Sequence, residues 1–282
     1  DIVSDGAVTI TSGGGTTTAA DVTTTRDVIQ FASNTAVNDD LTLTTTSGGA
    51  AGAAITFGAN ITDGGTNDLI LVAGSGGAIT VAGTTAVTDL TLTSGASAVF
   101  EGNVTVNDLI TAATATTVTL NGSVNTFAAA VDFVNTGTVT LGDGSGDNST
   151  FGGGLDFSGN AALALQGTIT TTNDAVTFGT GGVTLGAASA VVTAGGAITF
   201  EGLLNGGQNL TITAGTGAVT FSGAVGGAAR LGTLRIATAG NVTAGALTLG
   251  AFDQDAGTGT TTFGGAVNTN TSAGVVVANT TL

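Results

Sequence analysis

The 282-residue chain sets 3 Arg and no Lys against 19 Asp and Glu, giving a formal charge of −16, and it has no His, Cys, Tyr, Trp, Met or Pro. With no cations to cluster, it excludes a nucleic-acid backbone or an anionic membrane surface as a partner. Without His or Cys, it excludes Ser/His/Asp and Cys/His nucleophilic catalysis.

The composition also limits the fold. Hydrophobic residues make up 41% of the chain, with 49 Gly, 58 Thr and 12 Phe, so a disordered reading fails. A core built from Val, Ile, Leu, Ala and Phe favours many thin layers over one thick globule. The start, "DIVSDGAVTI", has neither a basic stretch nor a long apolar one, and it lacks Met. It therefore reads as a processed chain or a piece of a larger one, with no signal peptide remaining. There is no run of 18 apolar residues to form a membrane-spanning helix. Absence of Cys leaves the redox compartment open.

In chain order the predicted elements are short strands. "LTLT" from Leu41 is followed by "AAITFGA" from Ala53, "LILV" from Leu69, "LTLT" from Leu90 and "LITA" from Leu109. Later come "DAVTFGT" from Asp174, "GAITFEG" from Gly196, "LTIT" from Leu210, "GAVTFSG" from Gly217 and the uncharged end "SAGVVVANTTL". Apolar residues and Thr alternate with period two, the pattern of a strand with one buried face. β-Branched residues and Gly dominate, which leaves little for a helix.

The strand phrases recur at a steady interval. Aligned on one phase, Phe57, Val81, Phe100, Leu120, Leu141, Phe157, Phe178, Phe200, Phe221, Ala244 and Phe263 lie 24, 19, 20, 21, 16, 21, 22, 21, 23 and 19 residues apart, a mean of 20.6. Two or three strands per repeat, separated by Gly, Asn, Asp and Ser, describe one turn of a solenoid whose apolar face is buried only by stacking. The expected fold is all-β: a right-handed parallel β-helix, about 20–21 residues per coil and roughly 13 coils, forming a single body over residues 1–282. A left-handed β-helix is the alternative. At ~4.8 Å per coil the rod would be roughly 60 Å long. Phe57, Phe100, Phe157, Phe178, Phe200, Phe221 and Phe263 are expected to point inward and stack along the axis. Gly102, Gly202 and Gly223, two residues after an aligned Phe, are expected to supply positive φ at a corner.

The stretch "NLTITAGTGAVTFSGAVGGAARLGTLRIATAGNVTAGALTLG", residues 209 to 250, resembles the strand repeats of large bacterial exoproteins, the filamentous-haemagglutinin-like adhesins. The likeness covers most of the chain and rests on repeat style and composition. It implies a secreted or surface-anchored β-helical shaft, extracellular or at the cell surface. No "NPNG"-type secretion motif is found, so the match is to the shaft alone, and no functional residue carries over.

Candidate chemistry is sparse. Asp40, Asp68, Asp89 and Asp108 each stand immediately before the Leu of a strand. Stacked at one corner, they would splay into water, hold protons or share a Ca²⁺ ion, or else cap the turn through backbone hydrogen bonds. Glu101 and Glu201 both sit in "FEG". At ~4.8 Å per coil, five coils put them roughly 24 Å apart, too far for a hydrolytic pair and consistent with solvated positions. "GDGSGDNSTF" from Gly142 matches a Ca²⁺-binding repeat at too few positions. Outward Thr would make an ice-binding face only if T-x-T persisted, and "LILV", "LITA" and "LRIA" interrupt it. Thr is also the favoured polar residue on the solvent side of a strand.

The expectation is a non-catalytic structural, adhesive or spacer segment with no cofactor. Its partners would be host, cell-surface or matrix components, or copies of itself in end-to-end or lateral assembly. The alternatives are a filament, sheath or surface-layer subunit that stacks head to tail, and a carbohydrate-active β-helix enzyme.

Overall fold

A computed structural model describes residues 1–159 and 161–278; the end of "SAGVVVANTTL", residues 279–282, lies outside the described residues. The described chain forms thirty-five strands and no helix, and the strands stack as a parallel β-solenoid of about thirteen turns. It divides into two compact units, Asp1–Val139 and Thr140–Leu282.

In the first unit every coil has three strands. One rank is Ile2–Ser4, Val22–Thr24, Leu41–Thr44, Leu69–Val72, Asp89–Ser94 and Asp108–Thr111, paired in that order. The second is Val8–Ile10, Ile29–Phe31, Ile55–Phe57, Ala78–Val81, Ser97–Phe100 and Thr117–Leu120. The third is Thr16–Thr18, Thr35–Val37, Ile61–Thr62, Thr85–Ala86, Val104–Val106 and Val124–Phe127. Period-two alternation explains why each strand buries one face: Leu69 and Leu71 point in and are fully buried, whereas Ile70 and Val72 face outward. A one-residue slip in register would turn these apolar rows outward, so burial fixes the register.

The second unit uses the same three faces with longer strands. Leu163–Thr171, Val183–Val192, Leu231–Thr238 and Leu247–Gln254 each continue through what is a corner elsewhere. The first of these does so with a register shift between Leu165 and Gly167, and Gly167 adopts a φ of 109°. The remaining face is the parallel rank Leu155–Asp156, Val176–Phe178, Ile198–Phe200, Val219–Phe221, Val242–Ala244 and Thr261–Phe263.

The expected Phe column is divided by this geometry. Ile10, Phe31, Phe57, Val81, Phe100 and Leu120 are register partners in the first unit. Phe57 stacks on Phe31, with ring centroids 5.0 Å apart, and meets Phe100 only across the intervening Val81. In the second unit Phe157, Phe178, Phe200 and Phe221 form a continuous run with centroid separations of 6.0, 4.6 and 5.0 Å. Ala244 then intervenes, and Phe263, half-buried, meets Phe252 edge-on instead. Val139–Leu141 and Leu155–Asp156 belong to different sheets. The short 16-residue interval between Leu141 and Phe157 is therefore a step to another strand of the coil.

The glycine expectation is corrected as well. Gly102, Gly202 and Gly223 are absent from the positive-φ residues. What they provide is closeness between coils: a Cβ on Gly102 would lie 2.5 Å from the carbonyl carbon of Gly83, and one on Gly223 would collide with the carbonyl oxygen of Gly202. Side-chain volume, and not backbone handedness, is what these sites exclude.

Candidate functional site: an acid-lined corner

The corner before the strands Leu41–Thr44, Leu69–Val72, Asp89–Ser94 and Asp108–Thr111 carries one Asp per coil. Each coil ends a turn here, so a backbone N–H is left without a ladder partner and needs an acceptor. The side chains supply it from the coil before. The Asp68 amide donates to Asp40 Oδ1 at 3.0 Å, the Asp89 amide to Asp68 Oδ1 at 3.2 Å, and the Asp108 amide to Asp89 Oδ1 at 3.1 Å. Asp21 extends the pattern by accepting from the Thr42 amide at 2.8 Å. The backbone-capping alternative describes these hydrogen bonds, with the difference that Asp21, Asp40, Asp68 and Asp89 cap the next coil, while Asp108 takes the amide of the adjacent Leu109.

Stacking like charges has an electrostatic consequence. Burial, then the neighbouring charges of Asp89 and Asp40, push the Asp68 carboxyl above the ordinary 3.8. Burial and Asp89 do the same to Asp108. Among the described residues no group of three or more Asp or Glu side chains is placed to hold a metal ion. Asp40, Asp68, Asp89 and Asp108 are thus joined in a hydrogen-bonded ladder in which the carboxylates of Asp40, Asp68 and Asp89 each turn towards the amide of the next coil's Asp.

Asp63, which the sequence reading passed over, is the most enclosed carboxylate, at 9% exposure. Its oxygens accept from the amides of Gly65, Asn67 and Thr88 and from the Thr88 hydroxyl. Burial raises its pKa, but these hydrogen bonds outweigh burial and hold the carboxyl below 3.8. The signal was present as "DGG" from Asp63, a turn signature in which Asp bonds backbone two residues on. Asp63 also lines a shallow groove of about 570 Å³ with Thr62, Ala86, Val87, Thr105 and Val106.

Glu101 and Glu201 lie in different units and are both exposed; Glu101 accepts from Asn121 Nδ2 at 2.8 Å. Arg235 pairs with Asp255, and Arg230 binds carbonyl and carboxamide oxygens of the second unit. On that unit's outer surface Thr177, Thr199, Thr220, Thr243 and Thr262 are register partners in an unbroken row. On the "LTLT"-type strands, where the sequence suggests such a row, apolar residues interrupt it.

No family model matches the chain, and no curated protein and no solved structure is significantly similar to it.

Proposed function

We propose that this chain is a non-catalytic β-helical shaft of a bacterial exoprotein of the filamentous-haemagglutinin-like kind, working outside the cell or on its surface as a rigid spacer or adhesive stalk. The observation that supports it is the in-register apolar ladder of each unit. Register partners such as Phe178, Phe200 and Phe221 meet their equivalents above and below, so length is gained by adding coils without designing a new core. Such a ladder resists bending and proteolysis, and the chain presents only 3 Arg and no Lys as tryptic sites. Its excess of 19 acids over 3 bases keeps the surface soluble and mutually repelling.

The test is mechanical and enzymatic. Stretched singly, the chain should resist force and release length in coil-sized steps, and trypsin should leave it intact at neutral pH. A chain that extends without resistance and is rapidly digested would refute the reading.

A self-assembling subunit is the second reading, because coils joined only by parallel backbone pairing can be continued between chains by the same pairing that joins them within one. Concentration-dependent fibres under electron microscopy would select this reading, and strictly monomeric particles at high concentration would remove it. Release of sugars from a polysaccharide panel would instead establish the carbohydrate-active alternative.

A further inference from the structure

The segment from Asp63 to Asn67 departs from the plain coil. It runs out through Gly64 and Gly65, with φ of 76° and 90°, and a Cβ at either would meet nothing within 4 Å. No side chain packs this excursion down, and Thr66 at its tip is exposed. What holds it is the carboxylate at its base. One Asp63 oxygen takes the Gly65 amide and the other takes the Asn67 amide at 2.9 Å. That second oxygen reaches into the next coil as well, accepting the Thr88 amide at 2.7 Å and the Thr88 hydroxyl at 3.0 Å. Asn67 fastens the other side by donating from Nδ2 to the Val37 carbonyl, 2.8 Å away in the preceding coil.

We propose that Asp63 is an acid-released clasp: its ionised carboxylate pins the 63–67 loop across neighbouring coils at neutral pH, and protonation lets go this loop, whose Gly64 and Gly65 form one wall of the groove that Val87 and Val106 also line. An ionised carboxylate accepts from all four donors at once. The protonated group turns one oxygen into a donor; the Thr88 hydroxyl can rotate to accept it, but the three amides can only donate, so their bonds to that oxygen weaken or break. Bonds to a charged group are about twice as strong as neutral ones, so the loop loses its strongest anchors in one step and keeps those made by Asn67 to the Val37 carbonyl and from the Thr88 amide.

The surroundings are acidic on every side. Asp68 follows in the same loop, and Asp40 and Asp89 face Asp68 from the coils before and after, with Asp108 beyond Asp89. Of the cations, Arg26 lies against Gly48 and Gly49, and Arg230 and Arg235 belong to the second unit. Asp63 therefore stays charged through its donors alone, and neutralising it has no ion-pair partner to offset. Release is local because the ladder on either side stays paired: Thr85–Ala86, which Val87 follows, pairs with Ile61–Thr62 and with Val104–Val106, and Val87 and Val106 are each 4% exposed.

The experiment is hydrogen exchange of the whole chain, read peptide by peptide from pH 7 down to pH 1.5, because its hydrogen bonds hold the Asp63 carboxyl below 3.8, and corrected for intrinsic rates. Protection of the peptides covering 63–67 and Thr88 should fall roughly ten- to hundredfold at the acid end, the factor set by losing one charge-assisted bond. Protection of Ile79–Val81 and Ile198–Phe200 should hold. Asp63→Asn should open the same peptides at pH 7 and remove their pH dependence, while Asp68→Asn should leave that dependence in place. A fluorophore on Thr66→Cys, in a chain with no other thiol, gives a second readout, becoming more mobile in acid. Equal loop protection at both pH values in the unmodified chain would overturn the proposal, as would an acid response that survives Asp63→Asn.

Discussion

Phe178 and Phe200, one coil apart, stack with ring centroids 4.6 Å apart and planes tilted by 26°. Val176–Phe178 and Ile198–Phe200 pair residue for residue, so the backbone ladder sets the ring spacing and the rings in turn fill the gap between coils. Phe200 also stacks on Phe221 at 5.0 Å. Phe200→Ala removes two ring contacts and leaves a void bounded above and below by aromatic faces. It should destabilise the second unit by about 3–5 kcal/mol, whereas Phe200→Leu should lose less than half of that. Denaturant unfolding followed by exchange of the Ile198–Phe200 peptides measures both.

The glycines between coils give a sharper test of packing. A methyl group on Gly223 would overlap the carbonyl oxygen of Gly202, part of a backbone that cannot swing aside. Gly223→Ala should therefore cost about 1–3 kcal/mol by forcing two coils apart. Gly207→Ala is the control: its added Cβ meets nothing within 4 Å and its φ is not positive. Reduced freedom of the unfolded chain should make it neutral or stabilising by under about 1 kcal/mol. If both substitutions shift the unfolding midpoint equally, close coil approach is not the role of Gly223.

Much of this architecture was legible because its causes are periodic. Alternating Thr and apolar residues mark strands, and recurrence near 20 residues marks coils, so Phe178, Phe200 and Phe221 could be named as vertical neighbours. A single phase cannot show which strand of a coil a phrase occupies. "TVTL" ending at Leu141 and "LDF" ending at Phe157 look equivalent as sequence, yet they stand on different sheets. Gly102 and Gly223 were located correctly but assigned the wrong cause, since turn conformation and close approach both select glycine. At the acid corner Asp40, Asp68, Asp89 and Asp108 were visible as a column because each precedes a Leu. Asp63 stood outside the period, and its role depends on Thr88, 25 residues away.

The acid ladder sets the sign of a pH effect. Asp68 and Asp108 have carboxyl pKa values raised by burial and by adjacent carboxylates. The folded chain therefore holds their protons more tightly than the unfolded chain does. Their contribution to stability is greatest below the ordinary 3.8 and is lost as pH rises through the raised folded values. Asp68→Asn keeps an oxygen for the Asp89 amide and removes a charge. It should raise the unfolding midpoint of the first unit at pH 7 and leave it nearly unchanged at pH 3. Asp63, with its pKa lowered, has the opposite sign: it stabilises above 3.8 and its contribution fades as pH falls through its folded value. Urea midpoints at the two pH values for Asp68→Asn and Asp63→Asn should move in opposite directions at pH 7, and parallel movement would contradict the assignment.

Arg230 ties successive coils together beside the Thr271 hydroxyl, which donates to the Gly250 carbonyl at 2.9 Å. Its guanidinium donates from Nη1 to the Leu249 carbonyl at 2.8 Å and the Asn268 carbonyl at 2.9 Å, and from Nη2 to Asn268 Oδ1 at 3.0 Å. Those acceptors lie in the strands Leu247–Gln254 and Val267–Thr269, so one planar fork spans successive coils. Arg230→Ala leaves carbonyl oxygens that water can reach, which limits the loss to about 1 kcal/mol. The larger effect is local: exchange in 267–269 should quicken while Val219–Phe221 stays protected. Arg230→Lys should not restore protection, because a single ammonium cannot reproduce the fixed geometry of the fork. Full rescue by Lys would mean that charge alone, and not the shape of the guanidinium, holds these coils together.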